Sequence, residues 1–189
     1  MDNHPTLITL HDPDFLVTLM PTHEGPLGGL VEPPVVAFRT ANFAFHKLES
    51  DDRTVRVVAT VEAAAAAVIS EATLVNDRSK IERAVREDIL QSSRHPQIRW
   101  DGTLHPLQPG TQRSVRFDGL LEIRGKRIPA TLTLHQKPDG FWHAESEFRQ
   151  TEFGIEPVST LLGGLRSSDR VHFHVRLNPA RLDAVWAKT

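Results

Sequence analysis

The chain contains no cysteine, so disulfides, thiolate catalysis and cysteine-ligated metals are excluded. Long apolar runs are also missing. The longest, from Ala63 to Ile69, falls well short of the roughly 20 residues a membrane-spanning helix needs. Neither sign of charge is in excess. Lys and Arg number 22 and Asp and Glu 24, a net charge of −2. No basic surface is therefore expected for nucleic acid or an anionic membrane. Met1 to Leu7 carries an acid and no Lys or Arg, and it has no apolar core like that of a secretory leader. A cytoplasmic location is the expectation. No internal repeat is visible. What remains is an ordinary soluble composition, 39% hydrophobic and 24% charged over 189 residues, enough for one domain, with residues 1–34 read as an irregular N-terminal segment.

Alternation of apolar and polar residues dominates the rest. Phe15 to Met20 is a short strand, and Pro21 to Pro34 reads as a loop. Val35 to Leu48 is β-like, but Phe38 has one parity and Phe43 and Phe45 the other, which a bulge would reconcile. Val55, Val57, Ala59 and Val61 share one face of the next strand. The alanine run from Ala63 to Ala67 is compatible with helix or strand. One helix is expected over residues 77–91, where Ile81, Val85 and Ile89 recur every four residues, with Asn76 or Asp77 as its cap. After Pro96 the period falls to two. Ile98, Trp100 and Gly102 form one edge, then Val115, Phe117, Gly119, Leu121 and Ile123, then Ile128, Ala130, Leu132 and Leu134. Trp142, Ala144, Ser146 and Phe148 follow, and finally Val171, Phe173, Val175 and Leu177. Turns separate these strands at Glu49 to Arg53, Pro106 to Gly110, Arg124 to Arg127 and Lys137 to Gly140.

About eight short strands thus carry one apolar edge each, and a single helix is too small to cover them. The fold class predicted is all-β with one main helix, as a sandwich or a closed antiparallel barrel. A barrel of that size is either filled by its own side chains or holds one small ligand. A lining of Val, Ile, Leu, Phe and Trp would favour an apolar guest.

Three signals also occur in one order. Asp88, Ile89 and Leu90 end the helix ahead of Pro96 and the Ile98–Trp100 strand. Gly119, Leu121 and Ile123 lead to a turn with Gly125 and Pro129. Glu152-Phe153-Gly154 comes late. Together, from Thr54 to Leu177, they resemble the YceI-like family. The resemblance implies a lipocalin-like antiparallel β-barrel that binds a polyisoprenoid-type lipid, with no catalytic residue. The chain departs from the family pattern in three places: Ile89-Leu90 replaces an aromatic pair, the family's usual helix start is not recognisable, and no leader is seen.

The expected function is non-catalytic binding of a long apolar molecule, whether an isoprenoid, a quinone-like lipid or a fatty-acid derivative, for carriage or storage. Val57, Ala59, Ile98, Trp100, Phe117, Leu121, Leu132, Phe148 and Phe173 would line the cavity, and Ile81, Val85 and Ile89 would seal it from the helix. No cofactor beyond such a lipid and no resident metal is expected. An enzyme on the same barrel with histidines as acid–base groups is one alternative, and an interaction module with a filled core another. Of the ten histidines, His172 and His174 share a strand face that His143 could join, but this is the polar face and lacks a recognisable ligand spacing. His46 and His95 could touch a head group or be structural. Glu145 and Glu147 read as an outer charged face rather than a hydrolase pair. Ser159 and Ser167 have no nucleophile elbow. Arg124, Lys126 and Arg127 would meet an anionic head group only if their turn lies at the barrel mouth.

Overall fold

The computed structural model describes residues 5–26, 29, 32–47, 54–70, 75–106, 114–160 and 165–181. The turns expected at residues 49–53 and 106–110 lie wholly or largely outside these residues. All the strands join one antiparallel sheet. They are β1 (Thr6–His11), β2 (Phe15–Glu24), β3 (Val36–Phe38), β4 (Thr40–Lys47), β5 (Val55–Glu62), β6 (Ala67–Val68), β7 (Gln97–Pro106), β8 (Ser114–Ile123), β9 (Lys126–Gln136), β10 (Trp142–Arg149), β11 (Ser159–Thr160) and β12 (Leu165–Leu177).

Several of these strands are halves of one lane. β1 and β2 run on past residues 12–14 and pair, in unbroken direction, with β4 and β3. The junction carries a hydrogen bond from the Asp12 N–H to the Arg39 carbonyl of 2.8 Å. β5 and β6 likewise pair with β4 and β3 on their other edge. The lanes are therefore β1/β2, β3/β4, β5/β6, β7, β8, β9, β10 and β12. Because β12 pairs with β2, the lanes return to their start, as a lipocalin-like barrel requires. The parity conflict between Phe38 and Phe43 is resolved by the break at Arg39, and all three of Phe38, Phe43 and Phe45 are buried.

The N-terminal segment departs from expectation. Residues read as irregular supply β1, and the strand read at Phe15–Met20 runs on to Glu24 as the ten-residue β2. Pro21 masked that extension. It pairs with Val171 at the point where β12 shifts register between Ser167 and Val171. Proline offers no N–H to the ladder, so it is accommodated beside an irregularity. The alanine run splits into a 3-10 turn at Ala63–Ala65 and the short strand β6. The helix α1 spans Val75–Ala84 and continues as one π turn over Val85–Ile89, closed by a hydrogen bond from the Leu90 N–H to the Val85 carbonyl of 2.8 Å. Since it starts at Val75, Asn76 and Asp77 sit in its first turn rather than at its cap. The negative charge of Asp77 suits that end of the helix dipole.

One seam interrupts the wall. β9 and β10 pair only at Trp142–Gln136 and His143–His135, next to the hairpin turn, and then diverge. The chain refills the wedge with the 3-10 turn Gln150–Phe153. Phe153 is 1% exposed and meets Phe148 edge-on with ring centroids 5.4 Å apart. Gly154 follows in the left-handed region at φ 70°, which glycine adopts without cost. The Arg124 guanidinium donates to the Gly154 carbonyl at 3.1 Å. A side chain at Gly125 would come within 3.6 Å of the His95 ring. The three signals that stood apart in the sequence thus meet at one end of the barrel.

Candidate ligand cavity

Register fixes the depth of each inward residue. At the helix end lie Leu121 paired with Ile128, and Phe148 with Val171. Here the interior is filled. Leu90, Ile98, Leu121, Ile123, Phe148 and Phe153 are all buried in one cluster, and Val85 and Ile89 pack against it. At the other end Trp142 pairs with Leu177, Leu177 with Phe15, and Leu104 with Phe117. Between mid-barrel and this end lies a cavity of about 80 Å³.

Its wall contributes no polar surface. Phe15, Phe43, Phe45, Trp100, Phe117 and Trp142 supply the aromatic part, and Val17, Leu104, Leu132, Leu134, Val175 and Leu177 much of the aliphatic part. The void exists because neighbouring lanes β4 and β5 contribute small side chains, Ala41, Val57, Ala59 and Val61. Gly102 and Gly119 face each other across β7 and β8, and a Cβ on either would stand 2.6 Å from the other's Cα. Their bare backbone is covered by the Phe117 ring.

Of the residues expected to line a cavity, Val57, Ala59, Trp100, Phe117 and Leu132 do so. Ile98, Leu121, Phe148 and Phe173 are buried in the core but are not among its wall. Ile81, Val85 and Ile89 belong to the helix at the opposite end, so the helix caps the filled half rather than sealing the cavity. Phe15, Val17, Phe43, Phe45, Trp142 and Leu177 were the principal omissions. Their inward parity was readable, but their common depth was not.

The polar constellations lie outside the barrel. His143 and His174 sit on facing strands, with His143 Nδ1 2.8 Å from His174 Nε2 and His143 Nε2 2.9 Å from Asp139 Oδ2. A carboxylate only accepts, so His143 Nε2 carries a proton and donates to Asp139, while its Nδ1 shares one proton with His174 Nε2. Burial pushes the His174 imidazole below its ordinary value, and the neighbouring His143 adds to this. Both rings alternate with the inward residues Trp142, Ala144, Phe173 and Val175, and so point away from the cavity. Among the described residues, no three His, Asp or Glu side chains are arranged to hold a metal ion. Glu145 pairs with Lys137 at 3.3 Å and Glu147 with Arg170 at 2.9 Å, the charged outer face that their alternation suggested. His46 has outward parity beside Phe45, and His95 lies by Gly125 at the helix end, so neither reaches the cavity. Arg124, Lys126 and Arg127 are likewise at the helix end. Ser167 is structural: its Oγ accepts from the Val158 N–H at 2.9 Å. No helix among the described residues is long and apolar enough to cross a membrane.

Comparison with known proteins agrees with this architecture. The YceI-like domain profile matches residues 35–178. No curated protein sequence matches the chain. Among solved structures, Burkholderia cenocepacia BcnA superposes with a TM-score of 0.56 at 14% identity, covering 86% of this chain and 94% of its own. A polyisoprenoid binding domain from Saccharophagus degradans, implicated in plant cell wall breakdown, gives 0.54 at 9% identity, covering 90% and 97%. The Campylobacter jejuni YceI protein gives 0.51 at 11% identity, covering 75% and 81%.

Proposed function

Because the chain belongs to the YceI-like family, we propose that it is a non-catalytic carrier or store for a long apolar molecule held in the barrel. One observation carries this reading: eight lanes that could have filled their interior leave a void instead, and its wall is wholly apolar. The polyisoprenoid binding domain of Saccharophagus degradans, which shares the fold, supports the same ligand class. An isoprenoid, a quinone-like lipid or a fatty-acid derivative would each present such a chain.

The size of the void limits what is enclosed. About 80 Å³ is available, and one water-sized group needs about 10–15 Å³, so roughly five to eight carbon-sized groups fit. At roughly 0.8 kcal/mol per buried methylene, that segment contributes about 4–6 kcal/mol before the costs of association. A longer chain would have to extend beyond the cavity or rearrange its wall. Organic extraction of the purified protein followed by mass spectrometry tests the reading. A stoichiometric apolar molecule is expected. A clean extract, together with no saturable uptake of added long-chain lipid, would overturn it.

A further inference from the structure

The cavity encloses roughly five to eight carbon-sized groups, so the rest of a longer guest needs a way out. It can leave by either end of the barrel or through the wall. At the helix end the interior is filled, and the free edge of β6 is latched to the helix. There Glu82 accepts from the Val68 N–H at 2.9 Å, Arg86 donates to the Ala66 carbonyl at 2.8 Å, and Arg78 donates to the Ser70 carbonyl at 3.1 Å. At the hairpin end Phe15, Trp142 and Leu177 are buried. Beside them Asn178 donates to the Asp14 carboxylate at 2.7 Å and Arg181 to the same group at 2.9 Å, tying the start of β2 to the end of β12.

The wall differs between β9 and β10. β9 makes ten pairs with β8 and β10 makes eight with β12, but the two share only two with each other. Beyond those rungs the facing edges have no strand partner among the described residues. β9 carries Pro129 in this stretch, and a residue without an N–H suits a strand that pairs on one side only. The 3-10 turn Gln150–Phe153 refills the wedge at the helix end, below the level of the cavity. Continued past the break, the register would set Leu134 against Ala144 and Leu132 against Ser146. Both leucines line the cavity, and the side chains opposite them are small. Further along β9 the inward residues Ile128 and Ala130 are only half-buried, although Leu121, the partner of Ile128, is 2% exposed. Parting β8 from β9, or β10 from β12, breaks a ladder of backbone hydrogen bonds. Parting β9 from β10 beside the two leucines breaks none.

We propose that this seam is the portal of the barrel. An apolar chain enters and leaves between β9 and β10 when Leu132 and Leu134 swing aside, and the part of a long guest that the cavity does not enclose projects there. The proposal rests on the carrier reading above and supplies its route.

The test bridges the seam. The chain has no cysteine, so Thr133→Cys/Glu145→Cys places one disulfide across an outward rung beyond the break. Uptake and release of the fluorophore N-phenyl-1-naphthylamine are followed by stopped flow on the full chain. In the oxidised variant both rates should fall at least about tenfold while Kd stays within about twofold, since a gate raises one barrier shared by both directions. Reductant should restore them. An Arg116→Cys/Thr133→Cys bridge, on a rung that β8 and β9 already pair, should leave the rates unchanged. On the wild-type protein, 4-lauroyloxy-TEMPO marks the exit, because its bulky nitroxide must stay outside. In ¹⁵N–¹H spectra it should broaden the amides of Thr131, Thr133, Glu145 and Glu147 most, so the outcome does not depend on the bridged variant folding. Strongest broadening at Asp14 and Asn178, or at Leu90, overturns this proposal and leaves the carrier reading standing. An unslowed release from the oxidised variant also overturns it. No uptake of either probe by the wild-type protein overturns both.

Discussion

Replacing one leucine by tryptophan at two depths of the same barrel separates a true void from a filled core. Leu132 lines the cavity and is 8% exposed, whereas Leu121 lies in the packed half and is 2% exposed. Both are inward residues of adjacent strands, β9 and β8, so the chemistry of the substitution is the same. The added bulk is about two water volumes, roughly 60 Å³. At Leu121 no space exists, so neighbours must leave their rotamers at a cost of about 1–3 kcal/mol or more. For a chain of this size that is a fall in Tm of roughly 3–10 °C. At Leu132 the indole can enter the cavity, and Tm should stay within about 2 °C. Thermal unfolding by circular dichroism measures both. Binding of N-phenyl-1-naphthylamine should weaken at least about tenfold in Leu132→Trp, the loss of more than a kilocalorie of contact, and persist in Leu121→Trp while it remains folded. Equal Tm losses at the two sites, with unaltered probe binding in Leu132→Trp, would refute the assignment of the cavity.

Four other outcomes are expected. Gly102→Ala or Gly119→Ala should abolish or severely impair folding, because a Cβ at either site stands 2.6 Å from backbone across the ladder; a soluble variant with wild-type Tm would show that the two strands can separate freely. Phe153→Ala should cost about 3–5 kcal/mol, since it empties the wedge between β9 and β10, and urea unfolding reads this directly. Neutralising Arg124, Lys126 and Arg127 together should weaken binding of an acidic lipid by less than tenfold, because their turn lies at the filled end; a hundredfold loss would place the head group there. Stability should also fall as pH drops below about 6.5, the ordinary histidine value. The folded state holds the His174 imidazole below that value, chiefly by burial, so the unfolded chain binds the extra proton first. That contribution is fully present above this range and is lost on acidification toward the lowered folded value. His143, Lys137 and Arg176 favour the neutral ring, and Glu145 opposes them. Urea midpoints at pH 7.5 and 5.5 should therefore diverge more in wild type than in His174→Gln, and equal divergence would remove His174 from the account.

Much of the barrel was legible in the amino-acid order. Period-two alternation marks which side chains face inward, and that parity holds for β5, β7, β8, β9, β10 and β12 because it is a local property of extended backbone. The four-residue period of Ile81, Val85 and Ile89 marks the helix for the same reason. Strand β1 escaped, and so did the end of β2 beyond Met20, since Pro21 argues against strand unless the partner's irregularity is known. Depth along the barrel axis is not local at all. It follows from the register between strands, and register placed Leu132 beside the void and Leu121 in the packed half though both alternate alike. Nor could the sequence show whether the inward residues fill the interior, which depends on small side chains such as Ala41 and Ala59 falling on the same stretch of wall as Trp100 and Phe117. The seam between β9 and β10 belongs to the tertiary structure as well. Alternation gives each strand its inward face, but only the assembled wall shows that their pairing stops after two rungs.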